Sequence, residues 1–211
     1  MDLVVISASG KTEGETETIL KMFENGLNCF HIRKPFFSID DMRKLLVKIP
    51  EFYHSSIVLH SAHELSDSFQ IKGLHFPEGS LHLLENIKTK TEENKNSKTI
   101  SRSFHSFEDI STNYFPYNYV FLSPIFNSIS KKNHLSAFSQ SEIENKLPEA
   151  KKRNTEIKIY ALGGIELNNI EQLYRLQFDG IGIIGSIWNK PDAYSKLKAF
   201  KALQKKCLEL S

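Results

Sequence analysis

Residues 157–164 read Ile-Lys-Ile-Tyr-Ala-Leu-Gly-Gly, and residues 180–186 read Gly-Ile-Gly-Ile-Ile-Gly-Ser. Each stretch is a short strand-like run closed by small residues and followed by helix-like sequence. Small residues at such a turn let backbone N–H groups approach an anion closely, beside a helix N-terminus that favours negative charge. In an eightfold β/α barrel the loops after strands seven and eight commonly hold a phosphate. The fold therefore turns on whether six further strands precede these two.

Six do. Short β-branched or apolar runs stand at Leu3–Ile6, Asn28–Ile32, Ser56–Leu59, Gly73–His75, Thr99–Ser101 and Tyr119–Leu122, ahead of Ile157–Leu162 and Gly180–Ile184. Between them lie stripes at helical spacing: Thr16, Ile19, Leu20 and Phe23; Ile39, Met42, Leu45, Leu46 and Ile49; Ile143, Leu147 and Ala150; Ile170, Leu173 and Leu176. Asp40-Asp41 and Asn168-Asn169 sit near helix starts, where short polar side chains and negative charge suit the exposed N–H groups. A last helix is expected from about Pro191 to Leu208, with Pro191 in its first turn. Leu83 to Lys98, rich in Lys, Glu, Asn and Thr, reads as a poor helix and a solvated loop, not a linker. The alternation predicts the α/β class and a single (β/α)8 TIM barrel over residues 1–211, with a doubly wound open sheet as the alternative.

Composition agrees with one soluble domain. The chain has 211 residues, 40% of them hydrophobic and 25% charged, with a formal net charge of +2. No basic stripe dominates, which argues against a nucleic-acid partner; Lys131-Lys132 and Lys151-Lys152-Arg153 read as solvated faces. Two cysteines, Cys29 and Cys207, make no disulfide framework. No apolar run is long enough for a bilayer, and strand-like sequence starts at Leu3 with no signal peptide ahead of it. The expectation is a cytoplasmic protein with no membrane partner.

In a barrel, the C-terminal strand ends share one mouth. Reading them in order gives His31-Ile-Arg33-Lys34, His60-Ser61, His75, Arg102-Ser103-Phe104-His105-Ser106, Ser123-Pro124 followed by Ser128-Ile-Ser130-Lys131, and then the two glycine turns. Residues two apart share a face, so His31 and Arg33 both point into the mouth and Lys34 away from it. Any of these histidines can be read as a satisfied structural residue, His60 and His75 more readily than His31 and His105. A metal site is disfavoured, because Asp and Glu are nearly missing from the strand ends; Glu78 and Glu166 are the nearest, both in loops. What remains is a cationic, hydroxyl-rich mouth suited to a small phosphorylated anion, with histidine available for proton transfer near neutral pH.

Five motifs occur in one order: His31-Ile-Arg33, Arg102-Ser-Phe-His105-Ser106, Tyr119-Val-Phe-Leu-Ser-Pro-Ile-Phe126, Ala161-Leu-Gly-Gly-Ile165 and Asp179-Gly-Ile-Gly-Ile-Ile-Gly-Ser186. Together they resemble the thiamine-phosphate synthase/TenI family of small (β/α)8 barrels, over nearly the whole chain. Synthases of that family join hydroxymethylpyrimidine diphosphate to a thiazole phosphate with help from Mg²⁺. Their Gln-x-Arg-x-Lys after strand two is matched here by His31, Arg33 and Pro35. Their paired acidic or amide residues after strand three are matched by His60-Ser61. A metal-binding Asp after strand four has only Glu78 nearby, and Thr-x-Thr-Lys after strand six becomes Ser128-Ile-Ser130-Lys131. Diphosphate departure needs a metal or a dense cation cluster, so these changes disfavour the synthase reaction.

The TenI branch, whose characterised members are thiazole tautomerases acting without metal, fits the residues better. The resemblance implies His105 as general acid/base, with His31, Arg33 and Lys131 completing the candidate catalytic set. It puts the phosphate on Gly163, Gly164, Gly185 and Ser186, and substrate contacts on His60, Ser61, Arg102, Ser103, Ser128 and Ser130, with no metal ligand. No cofactor is expected, and Mg²⁺ enters only if the synthase alternative holds. A divergent thiamine-phosphate synthase and a non-catalytic thiazole or thiamine phosphate binder remain as alternatives. The resemblance further implies a homodimer, and Phe126 to Ser139 is the candidate lid.

Overall fold

The computed structural model describes residues 1–77, 98–127, 136–153 and 155–210. The expected poor helix from Leu83, most of the candidate lid, Glu78, and Ser128, Ser130 and Lys131 lie outside the described residues. Eight parallel strands close into one barrel in sequence order: β1 (Asp2–Ile6), β2 (Phe30–Ile32), β3 (Ile57–Leu59), β4 (Gly73–Phe76), β5 (Thr99–Phe104), β6 (Tyr119–Leu122), β7 (Lys158–Leu162) and β8 (Gly180–Ile183). Closure is made by β1 on β8, with Leu3 opposite Ile181 and Val5 opposite Ile183. The open-sheet alternative is excluded by that pairing.

Around the barrel run α1 (Glu15–Glu24), α2 (Ile39–Val47), α3 (Phe107–Ser111), α4 (Gln140–Arg153), α5 (Ile170–Arg175), α6 (Gly185–Trp188) and α7 (Ala193–Glu209). Local chemistry sets their ends. Ser38 and Asp41 form a capping box at α2, the Asp41 N–H donating to Ser38 Oγ at 3.1 Å. The last helix starts later than expected: Asp192 caps it, accepting from the Ser195 N–H at 2.8 Å, so Pro191 stands outside the first turn. Lys151 is not merely solvated, because it pairs with Asp179 at 2.7 Å and ties the end of α4 to the approach to β8. No described helix is long and apolar enough to cross a membrane.

Strand alternation divides the apolar residues into two layers. Outward residues such as Phe30, Ile32, Leu59, Phe76, Val120, Ile159 and Ile181 join the helices in one large core. Inward residues Val4, Ile6, Cys29, Val58, Tyr119, Phe121 and Tyr160 form a second, enclosed cluster inside the barrel. Tyr119 and Tyr160 stack there at 4.9 Å, with the Phe121 ring edge-on to both. Strand β8 makes room for these rings by having no inward side chain over two successive layers. A Cβ on Gly180 would lie 2.8 Å from the Tyr160 ring and 2.9 Å from the Asp2 carbonyl oxygen; one on Gly182 would lie 2.8 Å from Phe121 Cε1.

Overpacking of this kind costs about 1–3 kcal/mol. Gly180→Ala and Gly182→Ala should each lower unfolding stability by that order in urea titrations. Gly180→Ala should be the worse of the two, since the Asp2 carbonyl is backbone and has less freedom to yield. Pairing Gly182→Ala with Phe121→Leu should recover part of the loss; equal stability of the pair and the single variant would show that the clash is not with Phe121.

Candidate active site

The C-terminal ends of the strands surround a cavity of about 630 Å³. One wall is built from the two glycine turns. Gly163 and Gly164 both take left-handed backbone conformations, with φ of 99° and 63°. A side chain at either is also blocked, because a Cβ would lie 2.9 Å from Pro124 at the first and 2.5 Å from the Asn127 carbonyl oxygen at the second. Their glycine identity is thus required by packing on the loop after β6, where the Ile125 and Phe126 N–H groups donate to the Leu162 and Gly163 carbonyls. Asn169 braces the turn from below, accepting from the Glu166 N–H and donating to the Gly164 carbonyl, both at 3.0 Å. Ser186 joins the two turns by donating its hydroxyl to the Ile165 carbonyl. All four expected phosphate-side residues line one cavity wall.

The floor is histidine. Leu59 pairs with Leu74, so the residues that follow, His60 and His75, rise side by side from β3 and β4. Their rings stack at 4.0 Å, and both line the cavity. His31 lies fully buried beneath them, its Nδ1 2.9 Å from His60 Nε2 and its Nε2 2.5 Å from the Tyr119 hydroxyl. His75 Nδ1 meets Ser101 Oγ at 2.9 Å and Nε2 meets Ser103 Oγ at 3.1 Å. Ser101 also donates to the Leu74 carbonyl, so it accepts the His75 Nδ1 proton and leaves the ring lone pair on Nε2. Loss of water dominates the protonation of all three rings, reinforced by neighbouring positive groups. His31 and His60 are held well below the ordinary histidine range, and His75 is pushed down to about 3. The floor is neutral at physiological pH.

His105 stands higher, on the same face as Ser101 and Ser103 beyond the end of β5. It meets the Ser123 carbonyl oxygen at 2.7 Å through Nδ1. A carbonyl only accepts, so Nδ1 carries the proton and the neutral ring has its lone pair on Nε2. Arg33 also lines the cavity and is steadied by Ser9, to which it donates at 2.6 Å. Lys34 points the other way, as alternation requires. It is fully buried against Glu15 at 2.6 Å and the Gly10 carbonyl, so it fixes the β1–α1 loop under the mouth.

Three expected residues are not at the mouth. His31, expected to point into it, is sealed beneath the floor and does not line the cavity. Strand β5 continues past Ser101 to Phe104, which turns Arg102 outward to lie over the Phe104 ring and beside Tyr117. Ser61 does not line the cavity, and its hydroxyl is buried without a hydrogen-bond partner among the described residues. Ser103, by contrast, faces the cavity as expected. Sequence reading missed Ser9, Asn189 and Lys190, and placed Glu166 only as a loop residue; all four line the cavity. For Lys190 a signal existed, namely a cation about one helical turn past Gly185-Ser186. Glu166 is the one carboxylate among the described lining residues.

A family model described as thiamine monophosphate synthase matches residues 3–187. The thiamine-phosphate synthase of Prochlorococcus marinus is 26% identical over 168 residues, 77% of this chain and 44% of that protein, so the chain spans less than half of that relative. That of Staphylococcus carnosus is 21% identical over 197 residues, covering 89% of each. Among solved structures, a thiamine phosphate pyrophosphorylase from Bacteroides thetaiotaomicron superposes with a TM-score of 0.76 at 30% identity, over 98% of both chains. One from Pyrococcus furiosus reaches 0.75 at 16% identity and supports the fold alone.

The neutral floor makes stability depend on acid. Between the folded value of about 3 for His75 and its ordinary 6.5, the unfolded chain binds the proton and the folded chain does not. Stability is therefore full above about pH 6.5 and falls as pH drops through that window, with up to about 1.4 kcal/mol per pH unit for each such histidine. Chelator-treated protein should show this slope in urea midpoints, and His75→Gln should flatten it. An unchanged slope in the variant would refute the assignment.

Proposed function

Because this chain belongs to the thiamine monophosphate synthase (TMP-TENI) family, we propose that it acts in thiamine biosynthesis as a TenI-like thiazole tautomerase. The substrate is a phosphorylated thiazole whose phosphate lies on the turns at Gly163-Gly164 and Gly185-Ser186, with Lys190 adding positive charge from the same wall. The reaction is a proton shift that aromatises the ring. The single observation that carries the reading is His105: its Nδ1 is committed to Ser123, and its Nε2 is the basic atom of a ring lining the cavity. A histidine so oriented takes a proton at one substrate position and returns it at another. Arg33, steadied by Ser9, supplies charge for an anionic substituent across the cavity.

A second reading, thiamine-phosphate synthase, is favoured by the names of the relatives, above all the Bacteroides protein at 30% identity. That chemistry draws on Mg²⁺ to stabilise a departing diphosphate. Mg²⁺ requires hard oxygen ligands. Among the described residues, the floor offers imidazoles instead, and Glu166 is the cavity's one carboxylate. The described residues do not fit that ion, and no step through it is derived.

Purified protein should aromatise the carboxylated thiazole phosphate in the presence of chelator. His105→Ala should lower kcat by about 10²–10⁴ with little change in KM, as expected for loss of a general acid/base. Mg²⁺-dependent formation of thiamine phosphate from the pyrimidine diphosphate, without tautomerase turnover, would replace this reading by the second.

A further inference from the structure

We infer that the cavity floor is a binding site for one divalent transition ion of the Zn²⁺/Co²⁺ class, held by His31, His60 and His75. The three residues offer nitrogen ligand atoms that all lie within 4.8 Å of one another. His31 Nδ1 and His60 Nε2 lie 2.9 Å apart and share one proton as a hydrogen bond; giving up that proton and opening by about 0.4 Å would bring them to the spacing of adjacent ligands on a tetrahedral ion with bonds of about 2.0–2.1 Å.

The surroundings suit coordination. A metal-bound histidine generally donates its other ring N–H to an oxygen, which fixes the ring and its tautomer. Tyr119 Oη stands at the far nitrogen of His31, and Ser101 Oγ takes the Nδ1 proton of His75, whose lone pair is then on Nε2. The backbone positions are rigid, because the ligands rise from three consecutive barrel strands whose registers are set by their ladders. Closing the remaining distance takes movement of the His60 ring and a small shift of His75, whose Nε2 exchanges the Ser103 hydroxyl for the ion while Nδ1 keeps Ser101; both rings border the open cavity.

Ligand chemistry selects the ion. Imidazole suits zinc, cobalt, nickel and iron, whereas magnesium requires oxygen. Three protein ligands beneath an open cavity leave a coordination position facing upward, as in sites that exchange a water for another ligand. The class of ligand it takes is an anionic oxygen, a carboxylate or a phosphate, from whatever occupies the cavity. This inference stands on the floor residues and does not rest on the tautomerase reading.

The test is equilibrium dialysis of the untagged full chain against Zn²⁺ alone, with Mg²⁺ as comparison. The expected result is saturation at one Zn²⁺ per chain and no displacement by excess Mg²⁺. Loss of outer partners costs metal sites about 10–100-fold in affinity, and loss of a ligand in His60→Ala or in His75→Ala should cost at least as much. His105→Ala, which removes the proposed proton carrier, should leave Zn²⁺ binding unchanged, so the two readings fail separately. Undiminished binding in either floor variant overturns the inference, as does the lack of saturable binding in the parent. X-ray absorption of the Zn²⁺-loaded parent protein covers the case of a variant that does not fold: scattering from three imidazoles supports the site, and fewer overturn it.

Discussion

The structure depends on an exchange of volume inside the barrel. Tyr119, Phe121 and Tyr160 project inward from β6 and β7, and the ring space they need is vacated by Gly180 and Gly182 on β8. A closed eight-stranded sheet has an interior just wide enough to be filled by side chains. Filling it with aromatics from β6 and β7 requires an empty strand beside them, and β8 is that neighbour. The plug so formed sets the height of the cavity floor. His31 rests against it, with its ring 5.5 Å from Phe121 and 5.8 Å from Tyr119. Water is kept out from below, and this exclusion keeps the three floor histidines neutral.

Much of this was legible in the sequence because strand periodicity is strict. The strand count, the order, and the shared inward direction of His31 and Arg33 all follow from runs of alternating residues. Arg102 was misplaced for a specific reason. Ending β5 at Ser101 releases Arg102 into a loop, whereas the ladder between β5 and β6 continues to Phe104 opposite Leu122. Carrying the alternation on through Phe104 turns Arg102 outward and His105 inward. Pro191 was misplaced because a proline can stand either in a first turn or just before a cap, and only the geometry of Asp192 distinguishes the two.

Other features were visible as residues but not as relations. Each floor histidine could be assigned to a strand end, yet their convergence depends on the stagger between strands, which a single sequence does not carry. The pairing of Leu59 with Leu74 brings His60 level with His75 and above His31. In the sequence, the glycines at 163 and 164 stand as clearance for an anion. Their stronger requirement is contact with Pro124 and Asn127 in the loop after β6. Both demands fall on the same atoms, so sequence alone could not separate them. Lys34 shows the reverse case: alternation excluded it from the mouth, but its burial against Glu15 needed the path of the β1–α1 loop.

The link from Ser186 to the Ile165 carbonyl, together with the brace from Asn169, makes the two glycine turns one rigid piece. The histidine floor sits across the barrel, on β2, β3 and β4, and shares none of those hydrogen bonds. The two walls of the cavity are thereby kept mechanically apart. Substitutions on three adjacent strands can alter the floor without re-aiming the glycine turns across from it. An engineer who wants new chemistry in this barrel can begin from the same three positions.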